Sequence, residues 1–402
     1  MASLNVCTDP PRDRRRGVTP ITTSLAGQTV QTTFESSALP RERVVYVTTR
    51  EVTYPRNQTL IAALRRYAIV DIVAPYGTGE GFDQRLTYVW GLLRVLAGAL
   101  GRALRPGRRR DTLVIGFLAQ PLILLLAPLW RGRVIADAMV SVYDTVCCDK
   151  QLARPGSVIG RISWWLDSHL VRSADALLFD TRAHRDYFTT FGRRELPPAC
   201  VVPVGARRLK DAAPPKTSSN RLQVLFAGSY IPLQGSSVIL EAARLLRHEP
   251  VDFTLVGSGQ EYEAATQFAR EQDLRNVRFV GWVTLEVLDD WYHRADVILG
   301  IFGRTQKTQR VIPNKVFEAL SIGQPVITGE TPAIRELLQP GRDVVCCRVN
   351  DPAALADAIK WAGSHRTELR EIGRAGQRAF QQHASPNAVA AAIRPLFDGR
   401  RS

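Results

Sequence analysis

One stretch constrains this chain more than any other: VIPNKVFEALSIGQPVITGETPAIRELL, from Val311 to Leu338. Its pattern predicts helix, turn, strand, turn, helix. Pro313 and Asn314 open the first helix, with Asn a favoured cap and Pro suited to the first turn or the residue before it. Val316, Phe317, Leu320 and Ile322 give that helix an apolar side. Gly323 stands where a helix-ending glycine belongs. Residues 325–328 form a short buried strand, which Gly329 breaks. Thr331 then caps a second helix, with Pro332 at its first position and Glu336 inside it.

The chemistry lies at the start of the first helix. Lys315 and Glu318 share a face, and so do Asn314 and Glu318. A helix N-terminus offers free N–H groups and partial positive charge, which suits a phosphate. Lys315 adds a full charge, and Glu318 offers a two-oxygen acceptor for adjacent hydroxyls. Phosphate at the tip and a diol one turn along is the outline of a nucleotide's diphosphate and ribose. The plainer reading, a solvated Lys/Glu pair on an amphipathic helix, stays open at this point.

The chain has 402 residues, enough for two domains with separate cores. Its formal net charge is +15, of which +10 falls in residues 1–200. A basic surface favours nucleic acid, anionic lipid or phosphorylated ligands. No zinc finger, RNA-binding signature or aromatic–basic ladder is present, which argues against nucleic acid. The cysteines are Cys7, Cys200 and the adjacent pairs Cys147–Cys148 and Cys346–Cys347. That spacing fits neither a disulfide framework nor a zinc site, and reduced thiols in a cytosolic protein are expected.

Residues 1–40 read as a disordered basic tail carrying Arg14, Arg15 and Arg16. Strand, loop, helix and strand follow from residue 43, with the helix expected at 58–67, and this opens a doubly wound parallel sheet. Arg56 lies in the loop, a candidate for holding an acceptor or phosphate. Residues 88–110 form a Leu-rich, Arg-rich helix, suited either to an anionic membrane surface or to a core with a polar back. Residues 113–130 are almost wholly apolar but short for a span and interrupted by Gln120, Pro121 and Pro128, so strand, loop and buried helix are expected. Asp137 and Asp144 follow another strand and are candidate acids, bases or hydroxyl ligands. A helix over 160–174 with Trp164 and Trp165 is expected in the core. Residues 41–205 thus make one α/β domain, 206–220 a polar linker, 221–385 a second α/β domain, and 386–402 a C-terminal helix returning toward the first.

The second domain repeats the doubly wound order with V-x-F-A-G-S, V-G-S-G and V-G-W-V, then P-N-K-x-x-E-A-L-x-x-G-x-P-V-I-x-G. This succession resembles the retaining glycosyltransferases of the GT-B fold, family four, most strongly from Val224 to Leu338. The resemblance implies two Rossmann-like domains facing across a cleft. It implies that Glu318 holds the donor's ribose, that residues 310–315 with Asn314 and Lys315 face diphosphate and sugar, and that Trp282 and Val283 lie near the base. Gly257 would floor the site, with Gly228 and Ser229 beside the diphosphate. Two departures stand out. Arg310 occupies the position where the family has the first Glu of its Glu-x7-Glu pattern, and the usual cations after the first strand of this domain are absent. Arg304, Lys307, Arg310 and Lys315 are expected to replace them.

The resemblance further implies transfer of a sugar from a nucleotide diphosphate sugar to an acceptor hydroxyl with retention, without a metal or other cofactor. Lys315 and Arg310 would stabilise the leaving diphosphate, with Asp137 on the acceptor side. A glycan or lipid-linked acceptor, and an anionic membrane surface on the cytoplasmic side, are the expected partners. A sugar-nucleotide epimerase or hydrolase, and a degenerate nucleotide-sugar-binding subunit, are the competing readings.

Overall fold

The computed structural model describes residues 42–75, 84–103, 111–191, 195–210 and 219–398. The basic tail and the arginines at 105 and 108–110 lie outside these residues. The first half runs β1 (Glu42–Val47), α1 (Pro55–Leu64), β2 (Ala68–Val73), α2 (Gln84–Ala103), β3 (Thr112–Ile115), α3 (Ala119–Leu126), β4 (Val134–Asp137), α4 (Val158–Ser173), β5 (Ala176–Phe179), α5 (Arg182–Phe188) and β6 (Ala199–Val201). The second runs β7 (Leu222–Ala227), α6 (Ser236–Leu245), β8 (Val251–Val256), α7 (Tyr262–Glu271), β9 (Val277–Val280), α8 (Leu285–Arg294), β10 (Val297–Leu299), α9 (Asn314–Ser321), β11 (Val326–Gly329), α10 (Pro332–Leu337) and β12 (Val345–Cys347). Four helices follow: α11 (Pro352–Ser364), α12 (Arg366–His383), α13 (Pro386–Ile393) and the short α14 (Pro395–Asp398).

Each half is one six-stranded sheet, ordered β2-β1-β3-β4-β5-β6 and β12-β11-β10-β7-β8-β9. All pairings are parallel. Helices cover both faces, so the strands are continuously apolar instead of alternating. The strand order reverses between β1 and β3 and between β7 and β10, and a crevice opens at the carboxyl ends there. Helix α13 packs on α1, and Val389, Ala390 and Ile393 join the core of Val44 and Leu60.

Several elements differ from their sequence pattern. Helix α1 starts at Pro55, earlier than expected, because proline suits a first helical position. That shift carries Arg56 and Asn57 into the core, both fully buried. Strand β12 has three residues at a sheet edge, too short to leave a periodic signal. Residues 113–130 divide into the end of β3, helix α3 and a 3-10 turn, and no helix among the described residues is long and apolar enough to cross a membrane. Helix α2 turns Val95 and Ala99 inward and ties Arg102 to Asp71 at 2.8 Å. Trp164 and Trp165 are a correction: they lie 38% and 48% exposed, because α4 faces inward through Gly160, Ser163, Asp167 and Leu170. The described cysteines are free thiols.

Candidate functional site

The crevice of the second half is built where three strands end. β7 runs into Gly228 and Ser229, β8 into Gly257, and β9 into Trp282 and Val283. Gly228 N–H donates to Val256 O at 3.0 Å, and Gly257 N–H to Gly281 O at 2.7 Å. Gly257 sits at φ +115°, and a Cβ there would collide with the Gly228 carbonyl. The two loops therefore lie against each other with no room for a side chain, and the floor is bare backbone.

Helix α9 points its N-terminus at this floor. It starts at Asn314 with Pro313 as the flanking residue, and no side chain caps it. The expected asparagine cap is thus corrected: Asn314 already has helical geometry, and its side chain lies beside Tyr54 of the first half. The open N–H groups are left for a ligand. Gly323 ends the helix at φ +75°, and Thr331 caps α10 through Ile334 N–H at 3.2 Å, both as the sequence predicts.

Lys315 is the most informative residue here. It is 6% exposed, and its ammonium nitrogen has no hydrogen-bond partner. Nζ lies 3.8 Å from the centre of the Phe226 ring. A Cβ on Gly228 would come within 2.9 Å of it and 2.5 Å of Gln234 Oε1, another buried atom without a partner. Gly228 thus has no room for a side chain, and its backbone lies directly against a lone amine and a lone amide oxygen. Burial pulls the Lys315 pKa down to about 7, with Glu318 opposing the fall. A buried amine left unpaired is costly, and an anion is what would satisfy it.

Glu318, one turn along, is 6% exposed. Tyr292 donates its hydroxyl to Oε2 at 3.0 Å. Arg207 Nε lies 3.1 Å from Oε1, and Arg207 Nη1 lies 2.5 Å from Asp289. Neither contact has hydrogen-bond angles, so charge holds this group together. Burial raises the Glu318 pKa, while Arg207 and the Tyr292 hydroxyl oppose the rise. Arg207 escaped the sequence reading because it begins a stretch that looks like polar linker. Yet Arg207 and Leu209 are buried, and Lys210 N–H donates to Asp289 at 3.0 Å.

The other expected cations do not converge on Lys315. Arg310 gives its Nη2 to Asp144 at 2.7 Å and lies 4.0 Å over the Tyr187 ring. Lys307 binds Thr145 at 3.0 Å and lies 3.6 Å from Asp149. Both Asp144 and Asp149 are buried and belong to a π-helical turn, Asp144–Asp149, of the first half. Arg310 and Lys307 therefore join the two halves, which corrects their assignment to the diphosphate. Arg304 is exposed, and so are Ser229 and Trp282, the last at 64%. Asp137 is also corrected. It is fully occupied by a two-pronged pair with Arg56 at 2.7 and 3.0 Å, both side chains fully buried. Arg56 further donates to the Val202 and Pro203 carbonyls, so it holds the chain and is closed to any ligand.

This assignment makes a sharp expectation for Arg310→Ala. Asp144 would lose its partner, and since Arg310 is 16% exposed the cost is about 1–3 kcal/mol. Affinity for a nucleotide should change less than about threefold, because the guanidinium already has an acceptor. A urea titration and calorimetry on the same preparation check both.

Comparison with known proteins agrees with this geometry. Residues 221–365 match the family model of Glycosyl transferases group 1. The chain is 30% identical over 161 residues to the colanic acid biosynthesis glycosyl transferase WcaI of Escherichia coli K12, covering 38% of this chain and 39% of that protein. It is 25% identical over 183 residues to the glycosyltransferase WbjE of Pseudomonas aeruginosa, covering 43% and 44%. The matches thus span about two fifths of the length of these relatives. Among solved structures, sucrose-phosphate synthase from Thermosynechococcus elongatus superposes with a TM-score of 0.69 at 16% identity, over 89% of this chain and 98% of that one. Anabaena HepE in complex with UDP-glucose gives 0.63 at 14%, over 89% and 99%. The architecture is the two-domain GT-B fold.

Proposed function

From a chain whose second half is a Glycosyl transferases group 1 domain, we propose that the protein transfers a sugar from a nucleotide diphosphate sugar to an acceptor hydroxyl, with retention of configuration. The observation that carries this is the buried, unpartnered Lys315 amine set against the bare backbone of Gly228. In this reading the diphosphate lies against Lys315, the backbone of Gly228 and Ser229, and the uncapped end of α9. Glu318 takes the ribose hydroxyls, oriented by Arg207 and Tyr292. Exposed Trp282, with Val283, lies on the side of the base, and Arg304 offers a further cation at the rim.

As the glycosidic bond breaks, negative charge builds on the leaving diphosphate. Lys315 is fixed there before the reaction, in a dry site where its charge acts strongly. Anionic ligand also restores the proton that burial removes, so the cation forms where the anion arrives. The acceptor enters from the first half and attacks the face the diphosphate leaves, which accounts for retention, and the diphosphate oxygen accepts the hydroxyl proton. Lys315 supplies the neutralisation, in place of a metal. The likeness to a glycosyl transferase of colanic acid biosynthesis supports a glycan or lipid-linked acceptor.

Calorimetry with a panel of nucleotide diphosphates and their sugars tests the donor site. Wild type should bind one nucleotide sugar selectively, and Glu318→Gln should bind it at least about tenfold more weakly, since a charged acceptor is lost. A folded wild type that binds none of them would overturn the reading.

A further inference from the structure

We propose that helix α4 and the chain just before it seat the protein on the surface of an anionic lipid bilayer. Before Leu170 and Val171 enter the core, the helix is inside out. Its inward face carries Ser163, Asp167 and Ser168, all buried. Asp167 accepts from Ser141 Oγ, Gln120 Nε2 and the N–H groups of Val142 and Tyr143, at 2.7–3.1 Å. Its outward face carries Val158, Ile159, Ile162 and Trp165, exposed by 72, 58, 53 and 48%. Val158, Ile162 and Trp165 follow the i, i+4, i+7 spacing of one stripe. Leu152, 68% exposed, precedes them, and the neighbouring α3 and the 3-10 turn after it add exposed Leu125 and Leu129. Of the fifteen large apolar side chains exposed among the described residues, eight fall between 125 and 165. Such concentration marks a binding surface, since scattered apolar exposure is the ordinary case.

Charge identifies the occupant. Residues 112–174 contain no glutamate, and their four aspartates, Asp137, Asp144, Asp149 and Asp167, are buried. Arg131, Arg154, Arg161 and Arg172 are exposed over the same stretch. Within this stretch the surface therefore carries exposed apolar side chains, an indole and exposed charges of a single sign. A protein partner is met by charges of both signs, whereas anionic headgroups ask for this single one. Indole favours the headgroup level of a bilayer. The seat also lies one element from the cleft. Leu152 follows the π-helical turn whose Asp144 and Asp149 hold Arg310 and Lys307. A lipid-linked acceptor would be met at that turn. This last point rests on the transferase reading, and the seat itself does not.

Flotation of the full chain with vesicles is the test. Wild type should rise with phosphatidylcholine–phosphatidylglycerol vesicles and stay behind with phosphatidylcholine alone. Ile162→Asp combined with Trp165→Asp should weaken partition at least about tenfold. Because both side chains face solvent, its unfolding midpoint and nucleotide affinity should match wild type. Retention of wild-type partition by this variant would overturn the proposal and move binding to another surface. So would a wild type that ignores both vesicles, including one that light scattering shows to be a dimer which the variant breaks. Loss of nucleotide binding in both proteins alongside intact partition would strike the transferase reading and leave the seat standing.

Discussion

Lys315→Met should raise the unfolding midpoint while weakening nucleotide-sugar affinity about a hundredfold. The two effects have one cause. In the free protein Lys315 is 6% exposed, its amine lacks any hydrogen-bond partner, and burial holds its pKa at about 7. An unsatisfied buried polar group costs about 1–3 kcal/mol, which methionine, of similar length and apolar, would remove. With ligand bound, the same amine makes charge-assisted bonds to phosphate, and their loss gives the affinity change. The pH dependence carries the same sign. Between about pH 7 and the ordinary lysine pKa of ~10.4, the unfolded chain binds the proton and the folded one does not. Stability therefore rises with pH across that window, by up to about 1.4 kcal/mol per unit, and the penalty is full below it. The variant should lose that slope. Donor affinity should run the other way, falling up to about tenfold per pH unit above 7, because binding must return the proton. Thermal melts across pH, and calorimetry in buffers of different ionisation enthalpy, read these out. A flat wild-type profile with no proton uptake would remove Lys315 from the site.

The second large effect belongs to Arg56→Met, expected to cost about 3–5 kcal/mol. Arg56 and Asp137 are fully buried and joined by two hydrogen bonds. Removing the guanidinium leaves a carboxylate uncompensated in the core, together with the Val202 and Pro203 carbonyls. Combining it with Asp137→Leu should recover part of the loss, since the charge is then gone while the two carbonyls stay unmet. Urea midpoints of the two variants decide it. A single variant within about 1 kcal/mol of wild type would mean that the pair is not the clamp described here. At temperatures where the variants remain folded, nucleotide affinity should be unchanged.

The sequence carried the second half well because its signals are local. Gly323, Thr331 and the strand between them follow turn and cap chemistry that a few neighbouring residues determine. The floor of the site was legible in the same way, through glycines at strand ends. What escaped depends on partners far along the chain. Arg310 and Lys307 look like free cations until Asp144 and Asp149, more than 150 residues away, are brought to them. Asp137 looks like a cleft acid until α1 starts three residues early and delivers Arg56. Arg207 sits among residues of linker composition, and only burial against α8 distinguishes it. Trp164 and Trp165 are apolar, and apolar composition says nothing about which side of a helix the core lies on.

The chain crosses between the halves at two places. At the first, Arg56 grips the Val202 and Pro203 carbonyls on one side, and Arg207 is held by Asp289 and Glu318 on the other. Only Val204, Gly205 and Ala206 lie between the two grips, with Gly205 at φ +77°. At the second, α12 ends at His383 and α13 begins at Pro386. Two points define a line. The halves are therefore pinned like a door on two short leaves, and any swing about the axis from Gly205 to Ser385 must first break the Arg310–Asp144 and Lys307–Asp149 pairs. One leaf is anchored directly on the carboxylate proposed to hold the ribose, so the angle of the door and the occupancy of the donor site share a residue.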